Sequence, residues 1–191
     1  GGGLEGSGVP LSIGRFLADV TLAARSRLVP WVNRYPGVME TARTGADGNS
    51  HPDPPTQAAA SEVLDLARDL VRLDTSNFGD GSGPGERAAA EYVMAALTEV
   101  GYDPDYSESE PGRANVVLRI PGADPSRPAL VVHGHTDVVP AEAADWSVDP
   151  FAGEVRDGML WGRGAVDMKD MDAMILAVVR DMARAGRTPP R

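Results

Sequence analysis

The run Ala-Leu-Val-Val-His-Gly-His-Thr-Asp at 129–137 constrains this chain more than any other segment. Residues 129–132 are continuously apolar and read as a strand buried on both faces, the kind found in sheets covered by helices. After Val132 the chain turns abruptly polar. Side chains two apart in an extended segment point the same way, so His133, His135 and Asp137 share one face where the strand runs out. Open α/β sheets place their ligands at the carboxyl ends of strands. A His followed two residues later by a carboxylate suits a metal: one ring nitrogen binds the ion while the carboxylate orients the ring. A lone His at a strand end reads as a hydrogen-bonded core residue. Three such residues on one face bring the metal reading level with that one.

The flanking pattern supplies the rest of an α/β domain. Val63, Leu64, Ala67, Leu70 and Val71 fall on one side of a helix that begins at Thr56 or Ser61 and ends near Asp74, where TSNFGDGSGPG is loop chemistry. A second helix is predicted over residues 85–100, with Ala89, Tyr92, Val93, Ala96, Leu97 and Val100 as its apolar stripe and Gly101 ending it. Val116, Leu118 and Ile120 alternate as in a half-buried strand. Arg156-Asp157-Gly158-Met159 is a two-residue hairpin turn. Met171, Met174, Ile175, Val178, Val179 and Met182 stripe a last helix, closed by Gly186 and stopped by Pro189-Pro190. The expected order is helix, helix, strands, hairpin, helix, with helices packed on a sheet.

Composition removes several classes of function. There are no cysteines, which excludes a disulfide scaffold, a Cys-type zinc finger and a thiol nucleophile. The net charge is −10, against the basic stripe that a nucleic-acid groove needs, so no nucleic-acid partner is expected. No apolar stretch is long enough to span a membrane. Residues 1–55 begin and end in Gly, Pro, Ser and Asn, like linkers, and Arg15, Asp19, Arg25 and Arg27 interrupt the apolar face between. They lack the uninterrupted apolar core of a secretory signal and read as a poorly ordered or non-conforming extension. A cytoplasmic location is the expectation. The glycine-rich stretch at 79–85 follows a helix, not a strand, so a plain loop is preferred to a phosphate cradle.

The second cluster is WGRGAVDMKD at 161–170. Asp167 follows glycine-punctuated loop just before the last helix, where a carboxylate serves as an N-cap. Considered with Asp137 it takes on another meaning. Two carboxylates about 4 Å apart repel by roughly 4 kcal/mol at an effective dielectric near 20. A divalent cation removes that penalty; otherwise one carboxyl must be protonated or paired with Arg163 or Lys169.

Together the two clusters resemble the M20 metallopeptidase family. Gly134-His135-Thr136-Asp137-Val138-Val139-Pro140 is similar to its first motif, and Gly162 to Lys169 to its second, GRG-x-x-D-x-K; the W…PF…DG-x-L-x-GRG linker joins them. RLDTSN at 72–77 and residues 85–101 are similar to its opening helices, so the resemblance covers about residue 56 onward. It implies the amino-terminal part of a three-layer αβα zinc-peptidase-like catalytic domain over 56–191. It also implies His135 as a ligand of one metal ion, Asp167 as the carboxylate bridging two, and Asp137 as the catalytic residue that buttresses His135, with no ligand role for His133. The ions are two divalent metals, zinc in the first instance, with Co or Mn as alternatives. The activity implied is hydrolysis of an amide in an N-acyl amino acid or small peptide, in a full-length form that is compatible with a homodimer. The peptide after Asp167 is expected to be cis.

The departures from that pattern are equally specific. The family's paired Glu-Glu, further carboxylate and late His have no counterpart: no Glu-Glu occurs, and no His follows His135. The chain is therefore read as carrying part of an active site, and as inactive by itself. Asp170 stands where a small residue is usual. Two rival readings remain. One is a non-catalytic relative of the same family. The other is a metallo-β-lactamase-like hydrolase, for which His133-x-His135-x-Asp137 fits an HxHxD motif whose final His is Val138 here.

Overall fold

The computed structural model describes residues 9–10 and 56–190. The expectation of a poorly ordered extension at 1–55 falls almost wholly outside the described residues. In chain order the elements are β1 (Val9–Pro10), α1 (Gln57–Arg72), α2 (Arg87–Glu99), β2 (Asp105–Glu110), β3 (Arg113–Val117), a single 3-10 turn at Ala143–Asp145, β4 (Glu154–Arg156), β5 (Met159–Trp161) and α3 (Lys169–Arg184). The strands form two antiparallel sheets, β1-β5-β4 and β2-β3. The α/β class expected from the sequence is present as part of a domain. No helix among the described residues is long and apolar enough to cross a membrane.

Helix α1 starts where its chemistry dictates. The Thr56 hydroxyl accepts from the Ala59 amide at 3.3 Å, an N-cap bond, and itself donates to Asp181 Oδ1 at 2.5 Å. One side chain thus caps α1 and ties it to the end of α3. Both helices bury their faces in one apolar cluster that includes Val63, Leu66, Leu70, Val71, Ala173 and Leu176. Leu97 of α2 and Leu160 of β5 complete it. Small residues at Ala67, Ala173 and Ala177 permit close approach between α1 and α3.

Three expectations need correction. Residues 129–132 pair with no described strand, and Leu130, Val131 and Val132 are 83%, 80% and 60% exposed. Their composition is that of a strand between two neighbours, but the only ladder contact near them is an isolated parallel bridge between Ser76 and Val138. The buried face of α3 is also rotated from the expected stripe. Ala173, Leu176, Ala177, Arg180 and Asp181 are buried, whereas the methionines and Val178 are half-buried. Arg180 is buried because its charge is satisfied: it donates to Glu62 at 2.9 Å, to Glu99 at 2.9 Å and to the Ala96 carbonyl. A periodicity count of apolar residues passes over such a paired side chain. Finally β2, Asp-Tyr-Ser-Glu-Ser-Glu, is polar on both faces and was not expected; it is held by pairing with β3.

Other expectations hold. The hairpin turn has Asp157 at φ 55° and Gly158 at φ 74°, both in the left-handed region that a type I′ turn requires. Val116, Leu118 and Ile120 are each half-buried between exposed neighbours.

Leu70 is fully buried between the helices. Leu70→Ala is expected to lower the unfolding free energy in urea by about 2–5 kcal/mol. Val155→Ala, at a side chain 39% exposed, should change it by no more than about 0.5 kcal/mol.

Candidate metal centre

Two segments meet at the site, and each is held by backbone bonds. The loop after α1 lies against residues 136–138: Val138 N donates to Thr75 O at 3.1 Å, Asn77 N to Val138 O at 2.8 Å, and Thr75 Oγ1 to Thr136 O at 2.5 Å. The 162–168 turn is drawn in by Lys169. This side chain is completely buried, and its ammonium donates to the Leu73 carbonyl at 2.7 Å. Gly164 makes the approach feasible: it sits at φ 86°, and a Cβ there would stand 2.8 Å from Val138 Cγ1 and 3.0 Å from Lys169 Cδ.

His135 and Asp167, 32 residues apart in sequence, are brought to 3.0 Å between Nε2 and Oδ1. The other ring nitrogen, Nδ1, lies 3.1 Å from Asp137 Oδ1 and 3.1 Å from the Asp137 carbonyl. The imidazole therefore stands between two carboxylates. The aspartates converge on opposite ring nitrogens instead of on each other, and neither Lys169 nor Arg163 pairs them. The Arg163 guanidinium lies 5.2 Å over the Trp146 ring. Asp167 does not act as the N-cap of α3; that position is Met168, without a side-chain bond. The Asp167–Met168 peptide is cis, as expected. His133 is exposed and does not line the cleft of about 340 Å³ around His135, Asp137 and Asp167.

Electrostatics favour a positive charge between His135 and Asp167. Burial is the largest single effect on the His135 imidazole and disfavours its charged form. The Asp137 carbonyl, then the Asp167 and Asp137 carboxylates, outweigh burial and raise its pKa above the ordinary value. With Nδ1–H given to Asp137, a neutral ring would point a lone pair at a carboxylate oxygen 3.0 Å away. A cation there, a proton or a metal ion, relieves that contact. The donor set, one imidazole nitrogen and one carboxylate oxygen, fits a divalent metal such as zinc. Among the described residues no group of three or more His, Cys, Asp or Glu side chains is arranged to hold a metal ion.

Sequence reasoning missed the roles of three residues beside this centre. Asn77 donates from Nδ2 to Asp137 Oδ2 at 2.9 Å. Lys169 is a buried strut, its pKa pushed down to about 8 by burial with Asp74 and Asp172 opposing. Asp172 lies under Gly134, where a Cβ would overlap its carboxyl and stand 3.3 Å from Met168 Cε. Its Oδ2 is buried without a hydrogen-bond partner. Burial pushes its pKa up to about 7, with His135 opposing and Asp170 adding to the rise. Asp170 is raised as well, first by burial. An acidic first turn of a helix is ordinary, and nothing in its spacing announces burial.

Residues 131–191 match the family model for peptidase family M20/M25/M40. The similarity to that family is carried by this segment. The match spans both clusters and so includes GRGAVDMKD, which an HxHxD reading leaves unexplained. A succinyl-diaminopimelate desuccinylase of Methylorubrum populi is 48% identical over 119 residues, 60% of this chain and 28% of that protein. Enzymes of the same name from Methylobacterium radiotolerans and Bradyrhizobium diazoefficiens are 41% and 38% identical, covering 65% and 69% of this chain and 30% and 33% of theirs. The chain thus spans 28–33% of the length of these relatives. Human carnosine dipeptidase 1 aligns with a TM-score of 0.44 at 25% identity, over 70% of this chain and 33% of that one.

The buried Asp172 carboxyl yields a pH prediction. Its folded pKa, about 7, lies above the unfolded value near 4. The folded state therefore holds this proton more tightly, and stability is lost as pH rises through that interval. Asp172→Asn removes the loss. In metal-free protein, urea denaturation should show the variant gaining ~1–3 kcal/mol over wild type between pH ~4 and ~7, with no further gain above.

Proposed function

We propose that this protein is a metal-dependent hydrolase that cleaves the amide bond of an N-acyl amino acid or small peptide, using two divalent ions, zinc first among them. The observation that carries this reading is the placement of His135 between Asp137 and Asp167, with Nε2 facing a carboxylate oxygen at 3.0 Å. The relatives are named for removing a succinyl group from diaminopimelate, and that chemistry supports an N-acylated amino acid as the substrate class. The cytoplasm remains the proposed location.

In this reading each side chain has a separate task. Asp137 accepts the Nδ1 proton of His135, fixes its tautomer and turns the Nε2 lone pair toward the cleft. His135 Nε2 and Asp167 Oδ1 would hold the metal. Asp167 is 84% exposed, so its second oxygen remains accessible from the cleft. When bound there, divalent ions supply Lewis acidity that favours hydroxide from water and polarises an amide carbonyl. His135 and Asp167 carry no proton in that role. Residues of the 75–77 loop and the Lys169 strut keep the two donors in place.

The test is an assay of the zinc-loaded full-length form, which supplies the ligands that this chain lacks, against N-succinyl and N-acetyl amino acids and dipeptides, with metal analysis. Hydrolysis of at least one class is expected. His135→Ala should remove bound metal and detectable turnover together. Asp137→Ala should leave metal largely bound and lower turnover by about 10–100-fold. A metal-loaded protein that hydrolyses none of these substrates would overturn the enzyme reading in favour of a non-catalytic relative.

A further inference from the structure

We infer that Asn77 is a positioning residue: its amide holds the Asp137 carboxylate so that one oxygen is committed to His135 and the ring keeps a single orientation. This rests on the reading of the site proposed above and adds a residue to it.

The orientation of the Asn77 amide follows from its neighbours. The Gly79 N–H lies 3.0 Å from Asn77 Oδ1, and an N–H needs an acceptor, so the oxygen must face Gly79. The NH₂ group is then left to face Asp137, and Nδ2 lies 2.9 Å from Oδ2. The Asp137 carboxylate has two oxygens: Oδ2 accepts from Asn77, and Oδ1 lies 3.1 Å from His135 Nδ1, beside the Asp137 carbonyl that is also 3.1 Å from that nitrogen. Rotation about the carboxylate axis would break one bond to mend the other. Asn77 itself cannot drift. Its backbone amide donates to Val138 O at 2.8 Å, Ser76 before it bridges to Val138, and its side-chain oxygen accepts from the N–H of Gly79, which stands at φ 80°. The chain of contacts runs from a backbone-fixed amide, through a carboxylate, to a ring nitrogen, and ends at Asp167. Asn77 also lines the cleft beside His135 and Asp137.

Asn77→Asp separates positioning from loop structure. An aspartate keeps the size of asparagine and the oxygen that accepts from Gly79, so the turn survives. It replaces the donor facing Asp137 with a second acceptor. Asn77→Ser shortens the reach to Asp137 without adding charge. The readout is the ¹⁵N spectrum of the His135 ring in metal-free protein above the imidazole pKa, where only three histidines need to be assigned. Wild type should show a protonated, hydrogen-bonded Nδ1. In both variants the Nδ1 and Nε2 shifts should move toward the averaged values of a ring exchanging between tautomers, with the backbone amide spectrum otherwise retained. Zinc affinity should fall about 10–100-fold, more for Asn77→Asp than for Asn77→Ser. Unchanged His135 shifts in a folded Asn77→Asp protein would overturn the positioning role, whatever the enzyme assay gives. Shifted His135 resonances, with no hydrolytic activity in the zinc-loaded full-length form, would support the positioning role and overturn the hydrolase reading alone.

Discussion

An imidazole held between two carboxylates is the constraint on which this structure turns. Neither aspartate reaches His135 by local sequence alone. Asp137 lies two residues on but needs the 136–138 segment pinned to the loop after α1, and Asp167 comes from the far side of a hairpin. The site is therefore a product of how α1 and α3 pack. Their shared apolar cluster fixes the distance between the loop that follows one helix and the turn that precedes the other. The Lys169–Leu73 bond joins the same two segments at the polar end of that interface.

That strut has an electrostatic cost. A completely buried ammonium is tolerated only with partners, and here a carbonyl at 2.7 Å accepts its proton while Asp74 and Asp172 supply opposite charge. At the other end of α3, Arg180 is buried under the same terms with Glu62 and Glu99. The α1–α3 interface is thus apolar in its middle and closed at both ends by buried, paired cations. Small residues at Ala173 and Ala177 let the backbones approach, while the long stems of Lys169 and Arg180 add apolar contact of their own.

Much of this was legible in the sequence, for physical reasons that can be named. The three long helices announce themselves through spacing and caps, as with Thr56, and the hairpin through Asp157-Gly158. That His135, Asp137 and Asp167 lie together was legible because both clusters are glycine-punctuated polar runs beside apolar ones, and because together they resemble a known family. What was not legible depends on partners. The 129–132 run has strand composition, but strand pairing belongs to a neighbour that no described residue supplies. The face of α3 differs from the apolar stripe because Arg180 and Asp181 are satisfied in the core by Glu62, Glu99 and Thr56, each more than eighty residues away, with Arg187 also pairing Asp181. Asn77 reads locally as a turn residue, and that half of its role is correct; its second bond, to Asp137, spans 60 residues.

The placement of Gly134 and Asp172 explains why the site is strained toward a cation. The absence of a Cβ at Gly134 lets this segment lie on the first turn of α3, because a side chain there would displace the Asp172 carboxyl. That packing carries His135 over the helix start, but it also removes Asp172 from water with one oxygen unpaired. Asp137, Asp167, Asp170 and Asp172 then crowd one edge, with a single imidazole among them and the Lys169 charge turned toward Leu73. Burial, first of all, raises the Asp170 and Asp172 carboxyls above the ordinary range; Asp167 adds to the rise at Asp170 and Asp170 at Asp172, where His135 and Lys169 oppose it. The exposed faces of His135 and Asp167 are where a positive charge can enter without paying for desolvation in a closed core. The same close packing that makes the cluster costly to the fold therefore fixes the point at which a cation would relieve it.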